Sequence, residues 1–501
     1  MYLQKKKKTM RNELILGIDI GTGSCKAVVI DLGGNVVATA KAGYPIYRGK
    51  NGEVEQEPQD YYFAVKESIM VLHEQCPELR KNLCAIGLTG QSPTETIIDK
   101  EGNPLRRMIL WNDVRATDEA EEIMNKYSEE YLYSLLSNYV PVSPSWTSSR
   151  LRWFSKYEKE NVDKCYKYLQ AKDYVGYCLT NEYSSDYWSM RAVVDISTGK
   201  YCEELLGFLG FTADKMPTLK KIGDIKGYLT KKSALELNLP EGIPVSVGNG
   251  DAIATILGSG VFEKTGIAFD SAGTSEIIGI SVNESVKTKN IMTIPSLITG
   301  ELDIRYGPTQ SGSGSIIWLS KNLLNCDVET AIKLAEEVPA GCGGMFFLPY
   351  ISGERAPIWN SDATGSFKGI KYCFDRNFFA RAVMEGVGYS VRHVLEQSTE
   401  NCKTDASVIR ISGGGSQNRQ WCQIKSDICG LPVETLKCTD ACALGAAITG
   451  TIAAGFFNDF SVATKEMVKT KDFIEPDLEN KKIYDEIYEK YKISSNEFIV
   501  K

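Results

Sequence analysis

The sequence predicts an α/β protein of two lobes, and three observations carry that prediction. At 501 residues the chain is too long for one ordinary domain. Strand-like runs alternate with helical ones along it. An apolar strand twice runs through a carboxylate or serine into a Gly-Thr turn and out into a second strand, at ILGIDIGTGSCKAVVID (Ile15 to Asp31) and TGIAFDSAGTSEIIGI (Thr265 to Ile280). A repeated strand, glycine turn and strand suits a clamp that holds a phosphate chain from two sides, so the repeat points towards ATP.

Composition permits such a clamp and removes other classes. With 43% hydrophobic and 24% charged residues the chain reads as a soluble globular protein, and a net charge of -7 gives no nucleic-acid surface. Fourteen cysteines are scattered without a framework, with His73 and His393 as the two histidines, so reduced thiols in a cytoplasmic protein are expected. Cys438 and Cys442 lie one helical turn apart, but no second pair matches them and no metal is assigned. Lys5 to Lys8 are not followed by an apolar core, so residues 1–10 read as a disordered extension and not as a secretory signal. Ala443 to Phe457 is apolar but short of the roughly 20 residues a span needs, so a packed core helix is expected and no membrane partner.

In chain order, Ile15 to Ile20 and Ala27 to Ile30 flank the turn Gly21-Thr22-Gly23, and Asp31 to Asn35 turns into Val36 to Ala38, giving a three-stranded meander. Asp60 to Glu74 places Tyr62, Val65, Ile69 and Leu72 on one helix face, and Ala85 to Thr89 is a buried strand ending in Gly90-Gln91-Ser92-Pro93. The plan then recurs. Val245 to Gly248 is a strand, Asp251 to Leu257 a helix start, and Gly266 to Phe269 with Ile277 to Ile280 the second meander. Phe378 to Leu395 is a helix, Val408 to Ile411 a strand, and Ser416 to Gly430 a helix stopped by Leu431-Pro432. The expected lobes are 11–253 and 254–501, with the boundary near Gly248 to Gly260.

Chemistry concentrates at the turns. Gly21 and Gly23 let backbone amides approach phosphate oxygens, and Thr22 and Ser24 offer hydroxyls. Asp19 could hold hydrated Mg2+ and Lys26 could meet phosphate charge. An ordinary hairpin is the competing reading of one such turn; its echo at Gly273-Thr274-Ser275 favours phosphate. Asp251 follows a strand and a glycine turn, where it could accept a proton from an attacking hydroxyl or simply cap a helix. Gly413-Gly414-Gly415 with Ser416 and Asn418 is a bend that admits a base and ribose, or a tight strand-to-helix turn. Glu354-Arg355 reads as a buried ion pair bracing its lobe.

These segments together resemble the FGGY carbohydrate kinase family, within the actin, hexokinase and heat-shock chaperone ATPase superfamily. The resemblance spans nearly the whole chain after Met10. It rests on GIDIGTGSCK (Gly17 to Lys26), ILWNDVRA (Ile109 to Ala116), GNGD (Gly248 to Asp251), SAGTS (Ser271 to Ser275), LPYISGERAPIWN (Leu348 to Asn360), GSFKGI (Gly365 to Ile370), ARAVMEGVGY (Ala380 to Tyr389), ISGGGSQN (Ile411 to Asn418) and ALGAA (Ala443 to Ala447). Each segment is weak alone; their joint order and spacing are specific.

The resemblance implies two ribonuclease-H-like lobes with ATP and a sugar meeting in an interdomain cleft. It makes Asp251 the general base and frames a Mg2+ site with Asp19 and Asp251. It puts Thr22, Gly23 and Lys26 on the first phosphate loop, Gly273 and Thr274 on the second, Ser313 beside it, and Gly414, Gly415 and Asn418 at the adenosine. Gln91, Ser92, Asp113 and Asp251 are the acceptor contacts, with Arg115 a further candidate. The loop after Gln91 departs from the family: Ser92-Pro93 stands where xylulokinases carry Met-His and glycerol kinases Arg-Glu, which puts both acceptors in doubt. Ala252 departs likewise from the amide side chain usual after the base in xylulokinases. The expectation is an ATP-dependent kinase of a small sugar, first a pentulose, with gluconate or a polyol as the alternative. An actin-like ATPase without sugar transfer is the rival from another class. A homodimer is the only expected macromolecular partner.

Overall fold

The computed structural model describes residues 13–138, 142–283, 290–296 and 302–499, and the chain divides into two compact units. The first takes the chain as far as Gly258 and again over Cys442–Met467; the second takes the stretch between and the chain from Val468 onward. The proposed extension at residues 1–10 lies outside the described residues.

In the first unit β1 (Leu14–Ile20), β2 (Ser24–Asp31) and β3 (Val36–Gly43) form the antiparallel meander read from the sequence. Every residue of β1 is buried, which explains an apolar run with only Gly17 and Asp19 interrupting it. Helix α1 (Pro58–Gln75) buries Val65, Ile69 and Leu72 of the expected face and turns Phe63 and Met70 to solvent, but Tyr61 is the buried ring in place of the expected Tyr62, which is half-buried and donates its hydroxyl to Glu236 at 2.9 Å. Strand β4 (Leu83–Gly90) then joins β1 in parallel. Helix α2 (Ala171–Thr180), β5 (Ile225–Tyr228) and β6 (Pro244–Ser246) follow, giving the sheet order β5-β6-β4-β1-β2-β3. Asn249–Gly250 pairs with the end of β4, and α3 (Asp251–Gly258) starts at once.

The second unit repeats this wiring. Strands β7 (Ile267–Ala272) and β8 (Glu276–Val282) are antiparallel, β9 (Met292–Ile294) and β10 (Asp303–Pro308) extend the meander, and after α4 (Arg376–Thr399) strand β11 (Val408–Ser412) joins β7 in parallel. The helix expected from Ser416 is two elements. Gly414–Gln417 is a 3-10 turn entered through Gly413 at φ 79°, and α5 (Arg419–Cys429) begins only where the Asn418 side chain accepts from the Trp421 N–H at 2.7 Å. The cap outweighs the continuous helical pattern. Strand β12 (Val433–Leu436) precedes α6 (Ala441–Ala453), and β13 (Thr470–Ile474) and α7 (Leu478–Asn496) close the chain, with sheet order β9-β10-β8-β7-β11-β12-β13.

Helix α6 explains the ALGAA segment. A Cβ on Gly17 would sit 2.2 Å from the Ala443 carbonyl oxygen, and one on Gly87 1.7 Å from that of Ala446, so strands and helix touch backbone to backbone. Only glycine on the strands and small residues on the helix permit that approach. Among the described residues no helix is long and apolar enough to cross a membrane.

Candidate active site

In the first unit three parallel neighbours end together. Ile20 of β1 pairs with Gly90 of β4, and Gly90 pairs with Gly250, so the next residues, Gly21, Gln91 and Asp251, leave one sheet edge side by side. Ligands of open α/β sheets bind at such carboxyl ends. Asp19, Thr89 and Asn249 form the row one pleat earlier, on the same face.

The first Gly-Thr turn is held rigidly. The Gly21 N–H donates to the Ser24 carbonyl at 3.1 Å, and the Tyr44 hydroxyl donates to the Gly21 carbonyl. Gln56 donates to the Thr22 carbonyl at 2.7 Å, and the Trp111 indole to the Thr22 hydroxyl at 3.0 Å. Nothing lies within 4 Å of where a Gly23 Cβ would be, so that face of the turn is open. Lys26 pairs across the hairpin with Asp19, which is buried.

Asp251 opens α3, and one of its oxygens accepts the Ala252 N–H at 2.8 Å. Burial pushes its carboxyl up to about 6, against the opposing pull of that N–H and of the Arg191 and Lys26 charges. A carboxylate so placed is still ionised near neutrality yet basic enough to take a proton. Arg191 is clamped by aromatic rings, its guanidinium 4.4 Å from the Trp146 ring centre and 4.7 Å from that of Trp188, and it donates to the Trp188 carbonyl at 2.7 Å.

The Gln91-Ser92-Pro93 loop, expected to contact the acceptor, is less open than its sequence implies. Gln91 is buried and donates to Gln56 at 2.9 Å and to the Tyr61 hydroxyl at 3.2 Å, leaving its carbonyl oxygen without a partner. Ser92 donates to Gln170 at 2.7 Å, and Gln170 donates in turn to the Ser189 carbonyl at 2.7 Å. A Gly250 Cβ would sit 3.3 Å from the Ser92 Cβ, so Ser92 flanks the turn that leads into Asp251. Asp113 is spent on structure: its oxygens accept the Val54 N–H at 2.6 Å and the Arg115 guanidinium at 2.9 and 2.7 Å. Arg115 is shared with Glu55 at 2.8 Å.

In the second unit the Gly273-Thr274 turn is docked on the segment before Trp318. The Gly312 and Gly314 N–H groups donate to the Thr274 carbonyl at 2.8 and 2.9 Å, and the Ser313 N–H to the Gly273 carbonyl at 2.9 Å. The buried Ser313 hydroxyl has no partner, and a Cβ on Gly415 would come within 3.3 Å of it and 2.7 Å of the Ala272 Cβ. Around Gly414 there is nothing within 4 Å of a Cβ position. Gly273, Thr274, Ser313 and Gly415 therefore lie together, with open space beside Gly414 and Asn418 capping the helix beyond. Glu354 and Arg355, expected as an ion pair, do not bond side chain to side chain. Glu354 accepts the Gln310 and Arg355 N–H groups at 2.5 and 2.8 Å, and Arg355 donates to the Thr309 carbonyl at 2.5 Å. Backbone partners at Gln310 and Thr309 take up both side chains, and the Arg355 charge acts on the Glu354 carboxyl without a hydrogen bond between them.

Residues 14–258 match the N-terminal domain, and residues 268–454 the C-terminal domain, of the FGGY family of carbohydrate kinases. The chain belongs to that family. It is thus a sugar phosphotransferase with two actin-like α/β units. It is 29% identical over 489 residues to a xylulose kinase of Staphylococcus epidermidis, covering 96% of each chain. It is 29% identical over 467 residues to the gluconokinase of Bacillus subtilis, covering 91% of this chain and 90% of that one. The crystal structure of a xyloylose kinase from Brucella ovis superposes with a TM-score of 0.87 at 30% identity, covering 96% of this chain and 98% of that one.

Sequence reasoning missed Trp146, Gln170, Trp188, Arg191 and Asn249. The Asn249 carboxamide is fully buried with neither polar atom bonded to protein. The run Asp186 to Arg191 packs a carboxylate, two aromatics and a guanidinium into six residues, which was the available signal. Asp19, Asp251 and the orphaned Asn249 amide are hard oxygen and amide groups of the kind that suit hydrated Mg2+. Among the described residues no group of three or more His, Cys, Asp or Glu could hold a metal by itself. A cation shared with phosphate oxygens and water needs fewer protein ligands.

Proposed function

We propose that the protein transfers the γ-phosphoryl group of ATP to a hydroxyl of a pentulose in the manner of a xylulokinase. The observation that carries this reading is Asp251, a carboxylate pushed to about 6 at a strand end beside the open Gly21-Gly23 turn. Likeness over 96% of the chain to a xylulose kinase supports the pentulose as acceptor.

In this reading the acceptor lies against Ser92 and the Arg191–Trp188 shelf, and Asp251 takes the proton of the attacking hydroxyl as the new P–O bond forms and the bond to the ADP oxygen breaks. Lys26 and the N–H groups of the first turn meet the charge that develops on the phosphoryl oxygens. Gly273, Thr274 and Ser313 contact phosphates, and Gly414, Gly415 and Asn418 border the adenosine. Mg2+, when bound, would be held by Asp19 and Asp251 and would neutralise phosphate charge. The reaction belongs in the cytoplasm, where ATP is supplied.

Gluconate is the second reading, favoured by the gluconokinase likeness and by Arg191, a cation that a sugar acid would engage. The test is ADP release in a coupled assay over D-xylulose, D-ribulose, gluconate and glycerol. Fastest turnover with a pentulose is expected. Preference for gluconate would install the second reading, and ATP turnover indifferent to every sugar would overturn both.

A further inference from the structure

Beneath the second Gly-Thr turn lies a buried charge cluster that the proposed transfer step does not use. Asp270 on β7 and Glu276 on β8 flank Gly273, Thr274 and Ser275. The Lys425 ammonium, 3% exposed, reaches both, 2.5 Å from Asp270 and 2.8 Å from Glu276. Lys425 sits on α5, the helix that Asn418 caps directly after the Gly413–Gly415 bend. Glu276 also fixes the segment on the other side. Its N–H donates to the Thr309 hydroxyl at 3.2 Å, its carbonyl accepts the Thr309 N–H at 2.8 Å, and its Cγ lies 2.4 Å from where a Gly312 Cβ would be.

One ammonium thus ties together three pieces of backbone: the phosphate turn, the Thr309–Gly314 segment that carries Ser313, and the helix behind the adenosine bend. We infer that Lys425 is a positioning residue for the nucleotide, setting the distance between the phosphate turn and the adenosine bend and so governing ATP affinity without touching ATP. A buried ion network contributes little net stability beside an apolar replacement but fixes geometry, which is the property a preorganised phosphate site needs. Two carboxylates share this one cation, and burial together with the Asp270 charge pushes the Glu276 carboxyl upward. The inference rests on the reading that this turn and bend hold ATP.

The experiment measures KM for ATP, KM for the sugar and equilibrium ATP binding on wild type, Lys425→Met and the triple variant D270N/K425M/E276Q, with folding followed by circular dichroism. The triple variant strands no charge and serves if the single one does not fold. A rise in KM for ATP of at least about tenfold, with sugar KM within about twofold, is expected of a displaced phosphate turn. An unchanged ATP KM, an equal change in both KM values, or loss of fold in both variants would overturn the inference. Wild type that binds no ATP would instead sink that reading, a result visible before any variant is made.

Discussion

The two copies of the strand, Gly-Thr turn and strand differ in what lies behind them. In the first, Asp19 precedes a turn whose Gly23 face is open, whose carbonyls are held from the side by Tyr44 and Gln56, and whose Thr22 hydroxyl accepts from Trp111. In the second, Ser271 stands where the first has Asp19, Asp270 one residue earlier is bound to Lys425, and the turn is pinned by the N–H groups of Gly312, Ser313 and Gly314. The same backbone solution therefore sets a carboxylate two residues before the turn in one unit and a serine in the other, with different neighbours bracing it. A duplicated motif duplicates backbone geometry; the side chains around it differ.

The sharpest way to break that contrast is to remove the proposed proton acceptor, Asp251, from the first unit. Asp251→Asn is expected to lower kcat by about 10²- to 10⁴-fold with ATP binding retained, checked by steady-state kinetics beside equilibrium binding. The second unit should respond to pH instead, through a buried carboxyl. Burial pushes Glu354 up to about 7 from an ordinary 4.5, so it takes up a proton on folding between those values. Its stabilising share is full below the lower value and is lost as pH rises to the upper one, a slope worth about 3 kcal/mol. Denaturation at pH 5 and pH 7.5 should show wild type weaker at the higher pH and Glu354→Gln with a reduced difference.

Smaller effects separate the proposed acceptor and nucleotide sides. Gly415→Ala places a methyl 2.7 Å from the Ala272 Cβ, and overpacking of that kind is expected to raise KM for ATP about tenfold, with sugar KM unchanged. Arg191→Gln removes the cation stacked on Trp146 and Trp188, and the reverse split is expected: sugar KM up by about fivefold, ATP KM unchanged. Parallel changes in either variant would erase the division between acceptor and nucleotide sides.

Much of this was legible in the sequence because the informative signals were local. Both meanders, α1, the strand after α4 and the glycine turns were placed by period and turn chemistry. The start of α5 was not, because one Asn418 hydrogen bond shifted it past a helical-looking stretch. Asp113 and Gln91 could be named from motifs, but their partners lie 59 and 35 residues away, so their engagement with Val54 and Gln56 is invisible to spacing. Arg191 and Lys425 escaped for the same reason: a lone cation in sequence has no meaning until two rings or two carboxylates close around it.

The measurement that bears most directly on the proposed activity is phosphorus-31 NMR of the wild-type protein incubated with MgATP and D-xylulose. The account predicts that the γ-phosphate signal is replaced one for one by a phosphomonoester signal, with ADP accumulating in step and no change when sugar is omitted. Appearance of inorganic phosphate alone, at a rate indifferent to sugar, would contradict it.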